Sequence, residues 1–230
     1  MVRILRQNNR GKDPDMLHLH EEIALLTLDP ATGYFPRSVP SAWYIVHAAA
    51  LADLMIRKIV RQQSDGTLIL AEMTHTGDPI LDEWIRRMSN ARRPMNAAYW
   101  VLSMLQSVDI FTMLSERWVS TGIIVQRTEW FLIFPKRRYR LANPGVRETL
   151  RQRVLMTDDA LRNDRIATFI ALVIAGRSAL SSLFSEEEWK DLTGRFGNVM
   201  KNHPNAVLIR QVLALSESSA DTEALLLLLS

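Results

Sequence analysis

The chain has 230 residues, of which 47% are hydrophobic and 23% are charged, and it contains no cysteine. An apolar content of this size excludes intrinsic disorder, and the length fits one large domain or two small ones. The lack of cysteine excludes disulfides, thiolate metal sites, iron–sulfur clusters and cysteine nucleophiles.

The formal net charge of +3 is unevenly distributed along the sequence. Residues 1–12 carry four cations and no acid, and residues 127–140 carry five cations and one acid. The remainder therefore has a net charge of −5. Two basic segments on a mildly acidic body predict an anionic partner at those two places. The cations of the first segment are Arg3, Arg6, Arg10 and Lys12.

The first elements of the chain are a tail and two helices. Residues 1–16 are polar and basic, so we expect a flexible tail followed by a single domain over residues 17–230. Apolar residues at helical spacing predict one helix that ends near Asp29 and a longer helix from Ser41 to Ile56.

Turn and cap residues mark the boundaries of the next elements. The sequence Ser64-Asp65-Gly66 predicts a hairpin between two short strands. The pair Asp78-Pro79 predicts the start of a helix, with the aspartate as its N-cap. A helical stretch then covers residues 97–121, with a break near Asp109 and an end at Gly122.

A second hairpin is predicted next, with strands at Ile123–Gln126 and Trp130–Phe134 and a turn at Arg127–Glu129. From Asn143-Pro144 onward the chain is almost wholly helical. The segment Ile166–Ala175 is hydrophobic on every face, which is typical of a buried central helix. The predicted fold is mostly α, a single globular domain of helices packed around a central hydrophobic helix, with one or two small β-hairpins. No apolar run reaches the ~20 residues of a membrane-spanning helix, so we expect none.

The cluster from His18 to Glu22 is the segment that most resembles a metal site. On a helix His18 and Glu22 share a face, whereas His20 does not, and this differs from the HExxH spacing. Acids are favoured in the first turn of a helix, so a solvated first turn is the preferred interpretation. The sequence has no P-loop, GxGxxG or GxSxG motif. We therefore expect no catalysis, no cofactor and no metal.

The segment from Trp130 to Arg140 runs from consecutive apolar residues into a basic block. This composition is typical of insertion at a bilayer interface, with the cations at the headgroups. A core strand with an exposed basic turn fits equally well, and a self-association hairpin would use the same apolar residues. Nucleic-acid binding is a weaker alternative, because the cationic helix end is remote in sequence from the hairpin. The residues predicted for membrane contact or oligomerisation are Trp130, Phe131, Ile133, Phe134, Lys136, Arg137 and Arg138.

Five segments in consistent order resemble the Golgi phosphoprotein 3 family. They are Leu17–Asp29 with Gly33-Tyr34, Ala50–Arg57, Gly77–Glu83, Gly122–Ile124 with Trp130–Phe134, and Arg162–Arg165. The resemblance implies a helical domain around one hydrophobic helix and a peripheral membrane protein without catalysis. It also implies recognition of phosphatidylinositol 4-phosphate and a hairpin that touches the membrane or oligomerises. In eukaryotes these proteins also act as adaptors that retain glycosyltransferases in the Golgi.

The family's headgroup pocket uses one tryptophan and three arginines. In an ungapped register these positions fall at Ser38, His47, Val108 and Phe111, and none of the residue types is kept. Arg37 and His47 are the remaining candidates for a headgroup site. We therefore expect a cytoplasmic, peripherally membrane-associated or adaptor protein (on the cytosolic face of the Golgi in a eukaryote). It would bind anionic lipid through the hairpin and the N-terminal arginines, with reduced or lost specificity for phosphatidylinositol 4-phosphate. The alternative is a soluble interaction module that forms homo-oligomers through its hairpin.

Overall fold

The computed structural model describes residues 17–29, 35, 39–131, 134–158 and 163–217, with backbone alone at 129–131, 134–137 and 215–217. The predicted tail lies outside these residues. The helices of the described part are α1 (Leu19–Thr27), α2 (Pro40–Ile56), α3 (Pro79–Ser89), α4 (Ala97–Ser107), α5 (Ile110–Ser120), α6 (Gly145–Met156), α7 (Asp164–Ala175), α8 (Glu186–Arg195), α9 (Gly197–Asn202) and α10 (Pro204–Glu217), with a short 3₁₀ helix at Ser181–Leu183. The strands are β1 (Val60–Gln62), β2 (Thr67–Leu70), β3 (Met95–Asn96), β4 (Ile124–Phe131) and β5 (Phe134–Leu141). The predicted mostly α fold class is confirmed.

Helix starts and ends follow the local chemistry of the sequence. The carboxylate of Asp78 accepts hydrogen bonds from the backbone N–H groups of Ile80 (2.9 Å) and Leu81 (3.0 Å), as an N-cap should. Asp109 caps α5 in the same way, which separates α4 from α5 as predicted. Gly122 ends α5 with a φ of +74°, a left-handed conformation that favours glycine. These boundary predictions are confirmed.

The centre of the core is α2. Every residue from Tyr44 to Leu54 is buried, and the helix packs against α1, α3, α4, α5, α7 and α10. The sequence pattern favoured residues 166–175 for this central place. That segment forms most of α7 and is buried from Ala167 to Val173, but Ile174 and Ala175 are only partly covered. The all-round apolar pattern of α7 indicated burial correctly, whereas the number of neighbours was decided by the packing.

The first hairpin pairs β1 with β2, from Val60 opposite Leu70 to Gln62 opposite Leu68, as predicted. A third strand, β3, extends this sheet along β2. Two residues are too few to show an alternating pattern, so this strand was not predicted from the sequence.

The second hairpin is longer than predicted, and its predicted turn is wrong. Strands β4 and β5 have eight residues each, with Arg127 opposite Arg138 and Phe131 opposite Phe134. Residues 127–129, predicted as the turn, lie within β4. They include no glycine, asparagine or proline, and the β-branched Thr128 favours the extended conformation. The basic block therefore lies in the returning strand and not beyond the hairpin.

Among the described residues, no single helix combines the length and apolarity needed to cross a membrane. The helices α4 and α5 reach that length and composition only as a pair, and their axes differ by 68°. The bend lies at the junction that Asp109 caps.

The packing of α7 on α2 generates a prediction at Gly176. A Cβ on this residue would overlap Cδ1 of Ile45 in α2 and lie 2.9 Å from the carbonyl oxygen of Leu172. Overpacking of this kind costs about 1–3 kcal/mol. We expect Gly176→Ala to lower the free energy of unfolding by that amount, measured by urea denaturation. Gly194→Ala is the matched control, because no atom lies within 4 Å of its added Cβ and alanine favours helix α8. Equal stabilities of the two variants would contradict this packing.

Candidate functional site

The first turn of α1 is buried, so the expectation of a solvated turn is wrong. His20, Glu21 and Glu22 have no exposed surface, although the sequence placed acids where solvent was expected. Burial of a carboxylate costs several kcal/mol unless charged or hydrogen-bonding partners compensate it. The partners of this turn come from helices distant in sequence. The spacing of charged residues along the sequence does not indicate which of them will pair with it.

Arg117 of α5 lies between two buried carboxylates. Its Nη1 contacts the carboxylate of Asp78, and its Nε lies 3.3 Å from Oε1 of Glu21. Glu21 also accepts hydrogen bonds from the backbone N–H of His18 (3.0 Å) and the indole N–H of Trp118 (3.2 Å). One guanidinium thus links α1, the N-cap of α3 and α5.

Asp53 connects α2 to the same region. Its carboxylate accepts a hydrogen bond from the backbone N–H of Leu19 at 3.0 Å and one from Nε of Arg57 at 2.8 Å. Burial alone would raise the pKa of Asp53, but His18, His20 and Arg57 lower it well below its ordinary value. The carboxylate is therefore ionised at neutral pH. An acid within an apolar helix indicates a buried charged site, so Asp53 could have been identified from the sequence, but it was not predicted.

Glu22 is the fourth buried acid of this region, and its partners come from the second half of the chain. Nη1 of Arg153 in α6 lies 2.6 Å from Oε1, and Nη2 of Arg165 in α7 lies 3.0 Å from Oε2. Burial raises the pKa of Glu22, and the two arginines oppose that shift. Arg165 also donates to the carbonyl oxygen of Leu17 at 2.7 Å, which ties α7 to the start of α1.

The buried cluster brings together one possible set of metal ligands. Donor atoms of His18, Glu21 and Asp78 lie within 4.8 Å of one another. Arg117 contacts both of these carboxylates, and backbone N–H groups occupy them further. A cation would have to displace the arginine. This donor set therefore fits an internal ion-pair network better than a metal centre.

The second hairpin leaves the domain after a short buried base. Ile124 and Leu141 are buried, but the next residues of β4, from Val125 to Thr128, are all exposed. Successive residues of a strand lie on opposite faces, so four exposed residues in a row show that β4 is uncovered on both faces there. Tyr139 of β5, opposite Gln126, is partly buried and its ring lies 6.0 Å from that of Phe35. Val125 alone exposes 50% of its surface.

Cations are grouped on one face of this hairpin. The register places Val125 opposite Arg140 and Arg127 opposite Arg138, and residues two apart in a strand share a face. Arg127, Arg138 and Arg140 are all exposed. Cations directly opposite each other across a strand pair repel, which a nearby anionic surface would relieve.

The family model for Golgi phosphoprotein 3 (GPP34) matches the chain over residues 19–216. The chain belongs to the Golgi phosphoprotein 3 family. No curated protein sequence matches it significantly. Four of the five segments that resemble the family supply charged residues to the buried network, at His18 to Glu22, Asp53 and Arg57, Asp78, and Arg165. In this member of the Golgi phosphoprotein 3 family, those motif residues bind one another inside the domain.

Two of the four positions expected to form a headgroup pocket, Val108 and Phe111, are apolar and buried in this member of the Golgi phosphoprotein 3 family. Phe111 is fully buried and Val108 exposes 6% of its surface. The ring of Phe111 stacks on Phe35 with centroids 4.8 Å apart and meets Trp43 edge-on at 4.7 Å. Aromatic packing therefore occupies the place where the resemblance implied arginine side chains for a lipid headgroup.

His47, one of the two predicted headgroup residues, is fully buried in α2. Burial lowers its pKa to about 3, so the imidazole is neutral at pH 7. It offers no positive charge to a lipid headgroup at the surface. Arg37, the other predicted residue, and Ser38 lie outside the described residues.

The predicted hairpin residues are brought together along the two strands. Arg138 is exposed, and the structure describes the backbone alone for Trp130, Phe131, Phe134, Lys136 and Arg137. Ile133 lies outside the described residues.

The buried network generates a prediction at Asp78. Asparagine is a good N-cap, so Asp78→Asn keeps the cap of α3 and removes only the charge that Arg117 contacts. Loss of one partner of a buried ion pair costs roughly 3–5 kcal/mol. We expect the free energy of unfolding to fall by that amount, measured by urea denaturation at pH 7. Asp109→Asn, the same change at the exposed cap of α5, should cost less than about 0.5 kcal/mol.

The effect of Asp78→Asn should also depend on pH. Burial alone would raise the pKa of Asp78, but His20 and Arg117 lower it well below 3.8. Since the folded pKa is the lower one, the contribution of Asp78 is complete above pH ~4 and is lost as the pH falls. The stability difference between wild type and Asp78→Asn should therefore shrink in denaturation series below pH ~4. A difference that stays constant down to pH ~2 would contradict this role.

Proposed function

We propose that this protein is a peripheral membrane protein that docks on anionic lipid surfaces through the β4–β5 hairpin. The observation that carries the proposal is the hairpin itself, whose β4 residues from Val125 to Thr128 are all exposed and which has one basic face. Membership of the Golgi phosphoprotein 3 family supports a membrane-associated role. The role is one of binding, because the buried polar cluster is already paired internally.

Electrostatics supports the orientation of the docked protein. The segment 127–140 carries a net charge of +4, whereas the chain outside this segment and residues 1–12 carries −5. An anionic surface attracts the first and repels the second, so the hairpin would face the lipid. Each arginine near such a surface contributes about 1 kcal/mol, within a Debye length of ~8 Å in physiological salt.

We expect the protein to select lipids by their negative charge and not by the structure of the headgroup. The apolar packing around Phe111 leaves no described arginine at the family's headgroup positions, and His47 is neutral. Vesicles of equal surface charge should therefore bind equally, whether they contain phosphatidylserine or phosphatidylinositol 4-phosphate. The N-terminal arginines would add attraction of the same unspecific kind.

Self-association through the hairpin is a second candidate. The described β4–β5 sheet has two strands, so each strand is an edge with unpaired backbone groups. Such edges are templates for pairing with another copy. This candidate predicts a mass above that of the monomer without any lipid.

Neutralisation of the basic hairpin face should weaken vesicle binding. Arg127→Gln/Arg138→Gln removes two cations, worth about 2 kcal/mol, so the partition coefficient on phosphatidylserine vesicles should fall roughly 30-fold. The measurement is vesicle co-sedimentation at two salt concentrations. Arg92→Gln/Arg93→Gln is the matched control, because both residues are exposed and precede β3. Equal losses in the two double variants would indicate a response to overall charge alone.

Substitution in the apolar part of the hairpin separates membrane docking from self-association. Trp130→Asp/Phe131→Asp should abolish flotation with anionic vesicles while the protein remains monomeric in light scattering. Met73→Asp/Met156→Asp introduces the same charges at exposed methionines outside the hairpin and should float like wild type. Flotation of the hairpin variant at the wild-type level would refute the proposal. A wild-type oligomer that the hairpin variant reduces to monomers would favour self-association instead.

A further inference from the structure

A cleft of about 250 Å³ lies at the base of the hairpin, between the end of α1, strand β5 and the start of α6. Its charged lining residues are Asp29, Arg140 and Arg147, and its apolar walls include Leu28, Leu141 and Pro144. None of these residues is at a headgroup position of the family. The cleft is smaller than the ~300–1,000 Å³ of pockets for drug-sized ligands, so its volume suits a single small group.

Arg147 is a partly buried cation whose charge the domain compensates incompletely. Its Nε is buried without a hydrogen-bond acceptor among the described residues, and its Nη2 makes a long contact of 3.5 Å with the carbonyl oxygen of Leu26. Burial lowers the pKa of Arg147, with Asp29 and Glu148 opposing the shift. A buried cation in this state gains from an added anion.

Arg151, one turn further along α6, provides the contrast. Burial lowers the pKa of this residue too, but Glu188 and Glu148 raise it overall. Nη2 of Arg151 contacts Glu188, and Nη1 lies 3.2 Å from Glu148. The same helix thus carries one arginine with two carboxylate partners and one that lines an open cleft.

The position of Arg147 in α6 adds to the positive potential. It is the third residue of a twelve-residue helix, where the partial positive charge of the helix N-terminus disfavours a cation. Arg140, exposed on β5, contributes a second positive charge to the cleft, and Asp29 contributes the described negative charge of its lining. An anion is the ligand that fits this balance.

We propose that this cleft binds one phosphate group, held by the guanidinium groups of Arg140 and Arg147. Arginine forms charge-assisted, often bidentate hydrogen bonds with phosphate. Since the cleft lies at the base of the hairpin, a phosphate ester of a lipid headgroup would reach it as the hairpin docks. A lipid headgroup as the source of the phosphate rests on the function proposed above, whereas binding of phosphate by the two arginines does not.

The first measurement uses the full chain and soluble probes. Glycerol 3-phosphate and inorganic phosphate are titrated into the protein by calorimetry at low salt. Arg140→Gln and Arg147→Gln should each weaken binding about tenfold or more, since each removes a charge-assisted contact. Arg92→Gln is the control for loss of an exposed cation and should bind like wild type. Arg140 is exposed on a strand, so its variant keeps the test valid if Arg147→Gln unfolds.

The second measurement identifies the source of the phosphate. If glycerol 3-phosphate competes with phosphatidylglycerol vesicles, and Arg140→Gln weakens vesicle binding, the ligand is a lipid headgroup. If the soluble probes bind through both arginines but vesicles do not bind at all, the cleft takes a free phosphate and the membrane proposal fails. The cleft proposal is overturned if neither probe binds, or if both arginine variants bind the probes like wild type. In that case the hairpin variants alone test the proposed vesicle binding.

Discussion

Buried charge is the constraint on which this domain depends. Glu21, Glu22, Asp53 and Asp78 are all buried or nearly so, and a buried carboxylate is tolerated only when cations and hydrogen-bond donors surround it. Those partners come from Arg117 in α5, Arg153 in α6 and Arg165 in α7. The start of α1 must therefore meet helices from both halves of the chain in one arrangement. A misplaced helix would leave an unpaired charge inside the protein, which penalises alternative packings.

The buried network also shows which of the family motifs have a structural role. The motif residues at the starts of α1, α3 and α7 and near the end of α2 contact one another inside the domain, so in this chain they stabilise the packing of the helices. The residues available to a partner lie elsewhere, on the uncovered hairpin and in the cleft at its base. A basic hairpin on a chain whose other segments, apart from residues 1–12, carry a net charge of −5 suits orientation on a charged surface. At the position of Phe111, where the resemblance implied an arginine, this chain has an aromatic cluster with Phe35 and Trp43.

The local elements were largely predictable, because their signals lie within a few residues. The cap at Asp78, the break at Asp109 and the stop at Gly122 each depend on one side chain or one φ angle. The predicted turn of the second hairpin is wrong, because charged residues at 127–129 do not by themselves form a turn and the strands stay in register to Phe131 opposite Phe134. The solvated first turn of α1 was the larger error. Helical periodicity identifies which residues share a face, but not what covers that face.

The sequence by itself determined the mostly α fold class, most helix boundaries, the family and the uneven distribution of charge, because these follow from local pattern and composition. Tertiary structure alone decided that α2 is central, that Glu21 and Glu22 are buried, and that Arg147 lines a cleft with Arg140. These features depend on contacts between residues distant in sequence, and Glu22 and Arg165 are 143 positions apart. Burial changes the energy of a charge by several kcal/mol, and burial is a property of the packed chain. The same carboxylate can therefore be a solvated helix start or the centre of a fold.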